Sequence, residues 1–133
     1  MNYNEITINT SSRTELVSIT SKVNEFVSGA GIDNGILVVY CPHTTAAITI
    51  NEDADPSVRS DMNRFLNKLI PVDFGFSHME GNSDAHIKSS LVGASETIII
   101  ENGGMVLGRW QGIYFCEFDG PRRRRIILKI IPG

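Results

Sequence analysis

The chain has 133 residues, 41% hydrophobic and 20% charged, with a formal net charge of -3. That length and apolar content predict one domain spanning residues 1–133, large enough to bury a core. No run reaches the roughly 18–20 apolar residues of a bilayer span, so no membrane contact is expected, and the acidic balance argues against broad nucleic-acid binding. Cys41 and Cys116 set no disulfide framework, and no basic-then-apolar start with a small-residue cleavage site is visible. A reduced, cytoplasmic setting is the expectation.

In chain order, "YNEITINT" alternates as a first strand at a sheet edge. "SITSKVNEFVSGAG" predicts a short helix, with Ile19, Val23, Phe26 and Val27 at helical spacing, a hydroxyl cap at its start and glycines at its end. "GILVVYC" is a β-branched apolar run that predicts a central buried strand. "AAITIN" is its antiparallel partner or its continuation past a bend. "DPSVRSDMNRFLNKLIP" is the clearest helix: Asp55 is the cap, Pro56 opens the first turn, and Pro71 ends it. Val58, Met62, Phe65, Leu66 and Leu69 form its apolar face. A polar loop runs from 72 to 83, and a short helix from Asp84 would turn Ile87 and Leu91 inward and close at Gly93. The remainder is β: "ETIII", a turn at "ENGG", "MVLGRW", "GIYFCEF", a turn at "DGP", then "RRIILKII". The expected class is α+β, mostly antiparallel sheet or sandwich with two to three helices.

Three stretches carry chemistry. In "CPHTTAAITINED", His43 follows a strand end, and Thr44 and Thr45 offer hydroxyls for a phosphate or a water. Its plain structural alternative is a turn whose imidazole caps a backbone group. In "FSHMEGNSDAHIKSS", His78 and His86 stand among Glu80, Asn82 and Asp84, in a segment with little to bury. A helix starting at Asp84 would offer main-chain N–H groups, with Ser89 and Ser90, as an anion seat. His43, His78 and His86 make a candidate three-imidazole set for a divalent ion, zinc or magnesium, although neither H-E-x-x-H nor paired C-x-x-C is present. Glu80, Asn82 and Asp84 would be further ligands or would orient the rings. The competing reading is an exposed polar loop with a helix cap.

The third stretch is "WQGIYFCEFDGPRRRR". Along an extended strand Glu117 and Asp119 share a face, as do Arg122 and Arg124, and paired guanidinium forks match phosphate or carboxylate oxygens. A solvated or salt-bridged rim is the alternative. Gln111 could hydrogen-bond a planar ligand or simply end a strand. Cys41, two residues from His43 with Pro42 between them, is expected as a buried thiol rather than a nucleophile.

Taken together and in this order, "HTTAAITINED" with the later Asp61, "HMEGNSDAHIKSSLVG" and "GMVLGRWQGIYFCEFDGPRRRR" resemble the YjbQ-like family, described as secondary thiamine-phosphate synthases. One departure is Arg109, where a smaller residue such as threonine is expected. The resemblance implies an α+β subunit that assembles as a homotrimer, with a polar, metal-associated pocket near the subunit boundary. By position His43, His78 and His86 are the motif histidines, and Asn51, Glu52, Asp84, Gln111, Asp119, Arg122 and Arg124 are polar motif positions. The implied activity joins a hydroxymethyl-pyrimidine diphosphate to a thiazole phosphate with release of pyrophosphate.

The first functional expectation is therefore a metal-dependent enzyme acting on a phosphorylated small molecule. His43, His78, His86, Glu52 and Asp84 would be catalytic, and Thr44, Ser89, Ser90, Gln111, Arg122 and Arg124 would hold substrate. A hydrolase using metal-bound water would employ the same residues. The second is a trimeric metal- or anion-binding protein without turnover, and the third is an RNA-associated protein using Arg122 to Arg125, disfavoured by the acidic charge.

Overall fold

Two antiparallel sheets and three helices make up the chain in this computed structural model, which describes residues 3–133. Met1 and Asn2, part of the expected domain, lie outside the described residues. The elements are β1 (Asn4–Asn9), β2 (Glu15–Ser18), α1 (Thr20–Gly29), β3 (Gly35–Tyr40), β4 (Ala46–Glu52) and α2 (Pro56–Leu69), then α3 (Ser83–Val92), β5 (Ser95–Glu101), β6 (Gly104–Met105), β7 (Gln111–Glu117) and β8 (Arg123–Pro132). The larger sheet has the order β1-β8-β3-β5-β6 and the smaller β2-β7-β4. This is the expected α+β class, with β1 at an edge.

The layers follow from which side chains each strand buries. Leu37 and Val39 of β3, Ile98 and Ile100 of β5, and Ile126 and Leu128 of β8 face Ile48, Ile113 and Phe115 of the smaller sheet. Val23 and Val27 of α1 pack on the same core. The other face of the smaller sheet, carrying Leu16, Ala47, Tyr114 and Cys116, is covered by Ala85 and Val92 of α3 and by Met62 and Leu66 of α2. β7 is thus buried on both faces, which its continuous apolar run requires. β3 was expected in that role. It is central, between β8 and β5, but only one of its faces is buried, and Ile36 and Tyr40 are exposed on the other.

Other expectations are corrected. β4 neither pairs with β3 nor extends it; it crosses to the smaller sheet and pairs with β7 from Ala46↔Glu117 to Glu52↔Gln111. β2 is a short strand with no alternation to announce it. The predicted strand at "MVLGRW" shrinks to Gly104–Met105, because the chain must leave one sheet to enter the other. Its preceding turn behaves as read: Asn102 (φ 52°) and Gly103 (φ 77°) fit a two-residue hairpin turn that needs left-handed backbone at both positions. α1 begins at Thr20, and the residue before it, Ile19, has no polar group to cap it; the Thr20 hydroxyl accepts the Ile113 N–H instead. α2 has the predicted cap, with Asp55 accepting the Ser57 N–H at 2.9 Å, yet Phe65 and Leu69 stay exposed.

α3 is the largest reversal. Ile87 and Leu91 point outward, while Asp84, Ala85, Lys88 and Ser89 are buried. Asp84 receives both Arg13 guanidinium nitrogens at 3.1 and 3.2 Å, and Lys88 Nζ lies 3.4 Å from it and 2.7 Å from Asn67 Oδ1. A buried charge is tolerated only when paired in this way, and Ala85 is small enough to bring the helix against the sheet.

Candidate functional site

A cavity of about 540 Å³ opens where the chain crosses twice between the sheets. The β3–β4 crossing supplies Pro42, His43, Thr44 and Thr45, the β7–β8 crossing supplies Asp119 and Arg122, and the start of β8 supplies Arg124. The two crossings run side by side because β3 pairs with β8 in one sheet and β4 with β7 in the other. The loop before α3 adds His78 and Glu80, and the helix start adds Asn82 and His86. All three histidines of the sequence therefore face one hollow.

Their surroundings differ. His43 Nε2 lies 3.1 Å from both the main-chain N–H and the carbonyl of Arg125, and the ring meets Phe115 edge-on at 6.4 Å. Burial, and then the Arg124 guanidinium, push its pKa below the usual 6.5, so this imidazole is neutral at pH 7 and able to accept a proton. His78 and His86 stand nearly perpendicular, at 83° with centroids 5.7 Å apart, and Glu80 approaches His78 Nε2 at 3.9 Å. Among the described residues, no three His, Cys, Asp or Glu side chains converge closely enough to hold an ion. The rings share a cavity without forming a closed ligand set.

The arginine run divides by strand alternation. Arg122 is half exposed, donating to the Asp119 carbonyl at 2.8 Å and to its carboxylate at 3.2 Å. Arg124 is 4% exposed; it donates to Glu117 through Nε at 2.8 Å and through Nη2, which also reaches the Thr45 hydroxyl at 2.8 Å. Burial pushes the Glu117 carboxyl up, but Arg124, the Asp119 N–H and the Thr10 hydroxyl together hold it below its usual value. On the other face, Arg125 pairs with Glu5. Asn82 donates to Asp119 at 2.8 Å, while its own buried Oδ1 has no partner. The guanidiniums at the cavity are thus already matched by carboxylates, and Glu80 adds a further negative charge.

Several expected site residues lie elsewhere. Ser89 is buried and donates to the Ala46 carbonyl at 2.8 Å, and Ser90 donates to the His86 carbonyl at 3.0 Å, so neither hydroxyl faces the cavity. Asp84 belongs to the ion network under α3. Glu52 and Gln111 pair with each other at the opposite end of the smaller sheet, six residues along β4 from the cavity or about 20 Å. There Glu52 accepts the Ala54 N–H at 3.0 Å, and Gln111 Oε1 accepts the Gly108 N–H at 2.7 Å. The Cys41 thiol is buried, as expected, and pushed up to about 11 by that burial, which suits it poorly for nucleophilic attack. Arg13 and Lys88, which fix the helix bearing His86, were missed. Arg13's partner is 71 residues away; Asp84 and Lys88 form an i,i+4 pair visible in the sequence, but that spacing alone does not say that the pair is buried.

The comparisons with known proteins agree with this architecture. The model of the family described as UPF0047 protein YjbQ-like matches residues 4–133. A UPF0047 protein of Methanocaldococcus jannaschii is 60% identical, covering 93% of this chain and 90% of that protein. The UPF0047 protein YugU of Bacillus subtilis is 53% identical over 93% and 95%. A crystal structure of an uncharacterized YjbQ/UPF0047 protein from Clostridium acetobutylicum superposes with a TM-score of 0.94 at 52% identity, covering 96% of this chain and 99% of that one. Fold, full-length matches and the shared motifs lead to one conclusion: the chain belongs to the YjbQ-like UPF0047 family.

Proposed function

We propose that the cavity binds a phosphorylated small molecule and, with a divalent cation, promotes departure of its diphosphate group as a nucleophile attacks the carbon that carries it. The model for this reaction is the pyrophosphate-releasing transfer of a thiamine-phosphate synthase. The observation that carries the reading is the meeting of His43, His78, His86, Thr44 and the half-exposed Arg122 in one hollow. Arg122 offers a fork for phosphate oxygens, and Thr44 offers a hydroxyl. In a hydrolytic version, His43, neutral and held by an Nε2–H donated to the Arg125 carbonyl, keeps Nδ1 free to take a proton from attacking water. The hydroxyls of Ser89 and Ser90 are committed to carbonyls and the Cys41 thiol is raised, which favours direct displacement over a covalent protein intermediate.

Zinc or magnesium belongs to this reading. His78 and His86 are the side chains that would begin its shell, and phosphate oxygens would complete it. When bound, the ion would neutralise charge on the leaving phosphate. A homotrimer is the proposed assembly. Ile131, Ile36 and Ile99 lie side by side on β8, β3 and β5, exposed by 50%, 42% and 61%, on the uncovered face of the larger sheet.

The test is calorimetric titration of inorganic pyrophosphate, with and without added zinc or magnesium, into the protein and into Arg122→Ala and His86→Ala. The reading requires at least about a tenfold loss in each variant, as expected for a charge-assisted contact of 1.5–3 kcal/mol. Unchanged affinity in both variants would overturn it. A screen of phosphorylated metabolites with and without chelator then separates transfer, hydrolysis and binding without turnover, by whether pyrophosphate, phosphate or neither is released.

A further inference from the structure

Asn82 occupies the cap position of α3, yet its side chain does not cap the helix. An asparagine there ordinarily accepts one of the first main-chain N–H groups through its side-chain oxygen. Here the amide is turned away. Its Nδ2 donates to the Asp119 carboxylate at 2.8 Å, and its Oδ1 is buried without a partner. The residue is only 8% exposed, so both features are destabilising: a cap is forgone and a buried acceptor is left unsatisfied. Local stability does not account for this side chain, and such departures from local rules concentrate where a residue serves a site.

The bond from Asn82 leads to Arg122. Asp119 Oδ2, the atom that accepts from Asn82, also accepts from Arg122 Nη2 at 3.2 Å. The main chain on either side is anchored independently: the Asp119 N–H donates to Glu117 at 3.0 Å, and the Arg122 N–H donates to the Thr10 hydroxyl at 2.9 Å. What remains to be fixed is the two side chains. The Arg122 side chain is 50% exposed, and a surface ion pair does not by itself hold a guanidinium in one place. Asn82 restrains the carboxylate from the buried side, and the carboxylate restrains the fork. Asn82 also belongs to the helix that carries His86, whose first turn closes when the Asn82 carbonyl accepts the Ala85 N–H at 3.0 Å. One amide therefore ties the arginine side of the cavity to the imidazole side.

We propose that Asn82 is a positioning residue: acting through Asp119, it holds the Arg122 guanidinium ready at the cavity and in register with His86. The inference rests on the phosphate reading above and adds to it a residue that acts without touching the ligand. An arginine side chain that must be ordered on binding weakens affinity by roughly two- to tenfold relative to one ordered beforehand. The loss on removing the Asn82 amide should fall in that range and should not exceed the loss on removing Arg122 itself.

The experiment uses Asn82→Ser. Serine caps a helix as well as asparagine, brings no charge and is too short to reach Asp119 from the same backbone. Calorimetry of inorganic pyrophosphate, with zinc or magnesium present, is run on the unaltered protein, Asn82→Ser, Arg122→Ala and the double variant. Asn82→Ser should weaken binding about two- to tenfold while its melting temperature is no lower than that of the unaltered protein. In the Arg122→Ala background it should have no further effect, because the group it positions is gone. Without any ligand, the Arg122 Nε–H resonance, assigned by NMR as the one missing from Arg122→Ala, should shift in Asn82→Ser. An affinity loss of the same size in both backgrounds overturns the inference, as does an unshifted resonance. If Arg122→Ala weakens binding and Asn82→Ser does not, the inference fails and the phosphate reading survives. If Arg122→Ala leaves pyrophosphate affinity unchanged, the phosphate reading falls at this residue and takes the inference with it.

Discussion

Arg124 and Arg122 are two residues apart, yet the structure gives them different work, and substituting each separates the two roles. Removing the Arg124 side chain strands Glu117, whose side chain has no solvent exposure. The carboxylate would keep the Thr10 hydroxyl at 2.8 Å and the Asp119 N–H at 3.0 Å but lose its countercharge. Breaking a buried pair from one side costs about 3–5 kcal/mol, and the two surviving hydrogen bonds place Arg124→Ala near the lower figure. Arg122 is half exposed, so its pair with Asp119 contributes about 0–1 kcal/mol. For a chain of this length, about 3 kcal/mol lowers the melting temperature by roughly 10–15 °C. Urea denaturation of the two alanine variants measures the difference directly. Replacing Glu117 and Arg124 together with Gln and Met should recover part of the loss, because no unpaired charge remains. The variant with the smaller stability loss, Arg122→Ala, should be the one that loses pyrophosphate affinity. Equal stability losses in the two single variants would refute the assignment of Arg124 to the framework.

Three further outcomes follow. Asp84 and Glu117 are both pushed up by burial, but the guanidiniums of Arg13 and Arg124 win, so each folded-state pKa lies below its ordinary value. Their stabilisation is complete above the ordinary values of 3.8 and 4.5 and drains away as pH falls through the folded-state pKa values. The urea midpoint should therefore drop steeply in acid, and a flat profile there contradicts the pairing. Burial pushes the Cys41 thiol up to about 11 and Cys116 up to about 12, so iodoacetamide at neutral pH should label neither in the native protein and both in urea. If the proposed homotrimer is closed by the open sheet face, Ile99→Arg should reduce the mass seen by light scattering from three chains to one, with an unchanged circular dichroism spectrum. A retained trimer would move the interface elsewhere.

The parts of the fold legible in the sequence were those set by local chemistry. Asp55 followed by Pro56 fixed the start of α2, and Asn102-Gly103 supplied the left-handed pair that a tight hairpin needs. What stayed hidden depended on partners far along the chain. Helical periodicity put Ile87 and Leu91 inside α3, because nothing near them reveals that Arg13, 71 residues before Asp84, makes the polar face the buried one. The same blindness affected the site. His43, His78 and His86 were recognisable as imidazoles in segments with little to bury, and they do share a cavity. Ser89, Asp84, Glu52 and Gln111 carry equally suitable groups, but helix orientation or strand length takes them away from it. Residue type suggests chemistry, whereas direction comes from tertiary packing.

The charge pattern of the cavity leads to a last prediction. Arg124 is matched by Glu117 and Arg122 by Asp119, while Glu80 stands 3.9 Å from His78 with no guanidinium of its own among the described residues. Among the residues that line the cavity, no further guanidinium or ammonium is left for an incoming phosphate. A carboxylate about 4 Å from a phosphate oxygen costs at most about 4 kcal/mol at an effective dielectric constant near 20, and solvent screening of the largely exposed Glu80 lowers that to about 1–2 kcal/mol, roughly tenfold in affinity. A half-exposed guanidinium already engaged by Asp119 returns only part of that. Under the phosphate reading, tight binding near neutral pH needs countercharge beyond these carboxylate-matched guanidiniums, and a divalent ion completed by the phosphate's own oxygens would supply it. Adding zinc or magnesium at neutral pH should tighten pyrophosphate binding by at least about tenfold. Glu80→Gln should improve metal-free binding while weakening the response to the ion. Metal-independent affinity that Glu80→Gln leaves unchanged would show that this carboxylate does not face the bound anion, and the electrostatic account of the cavity would fall with it.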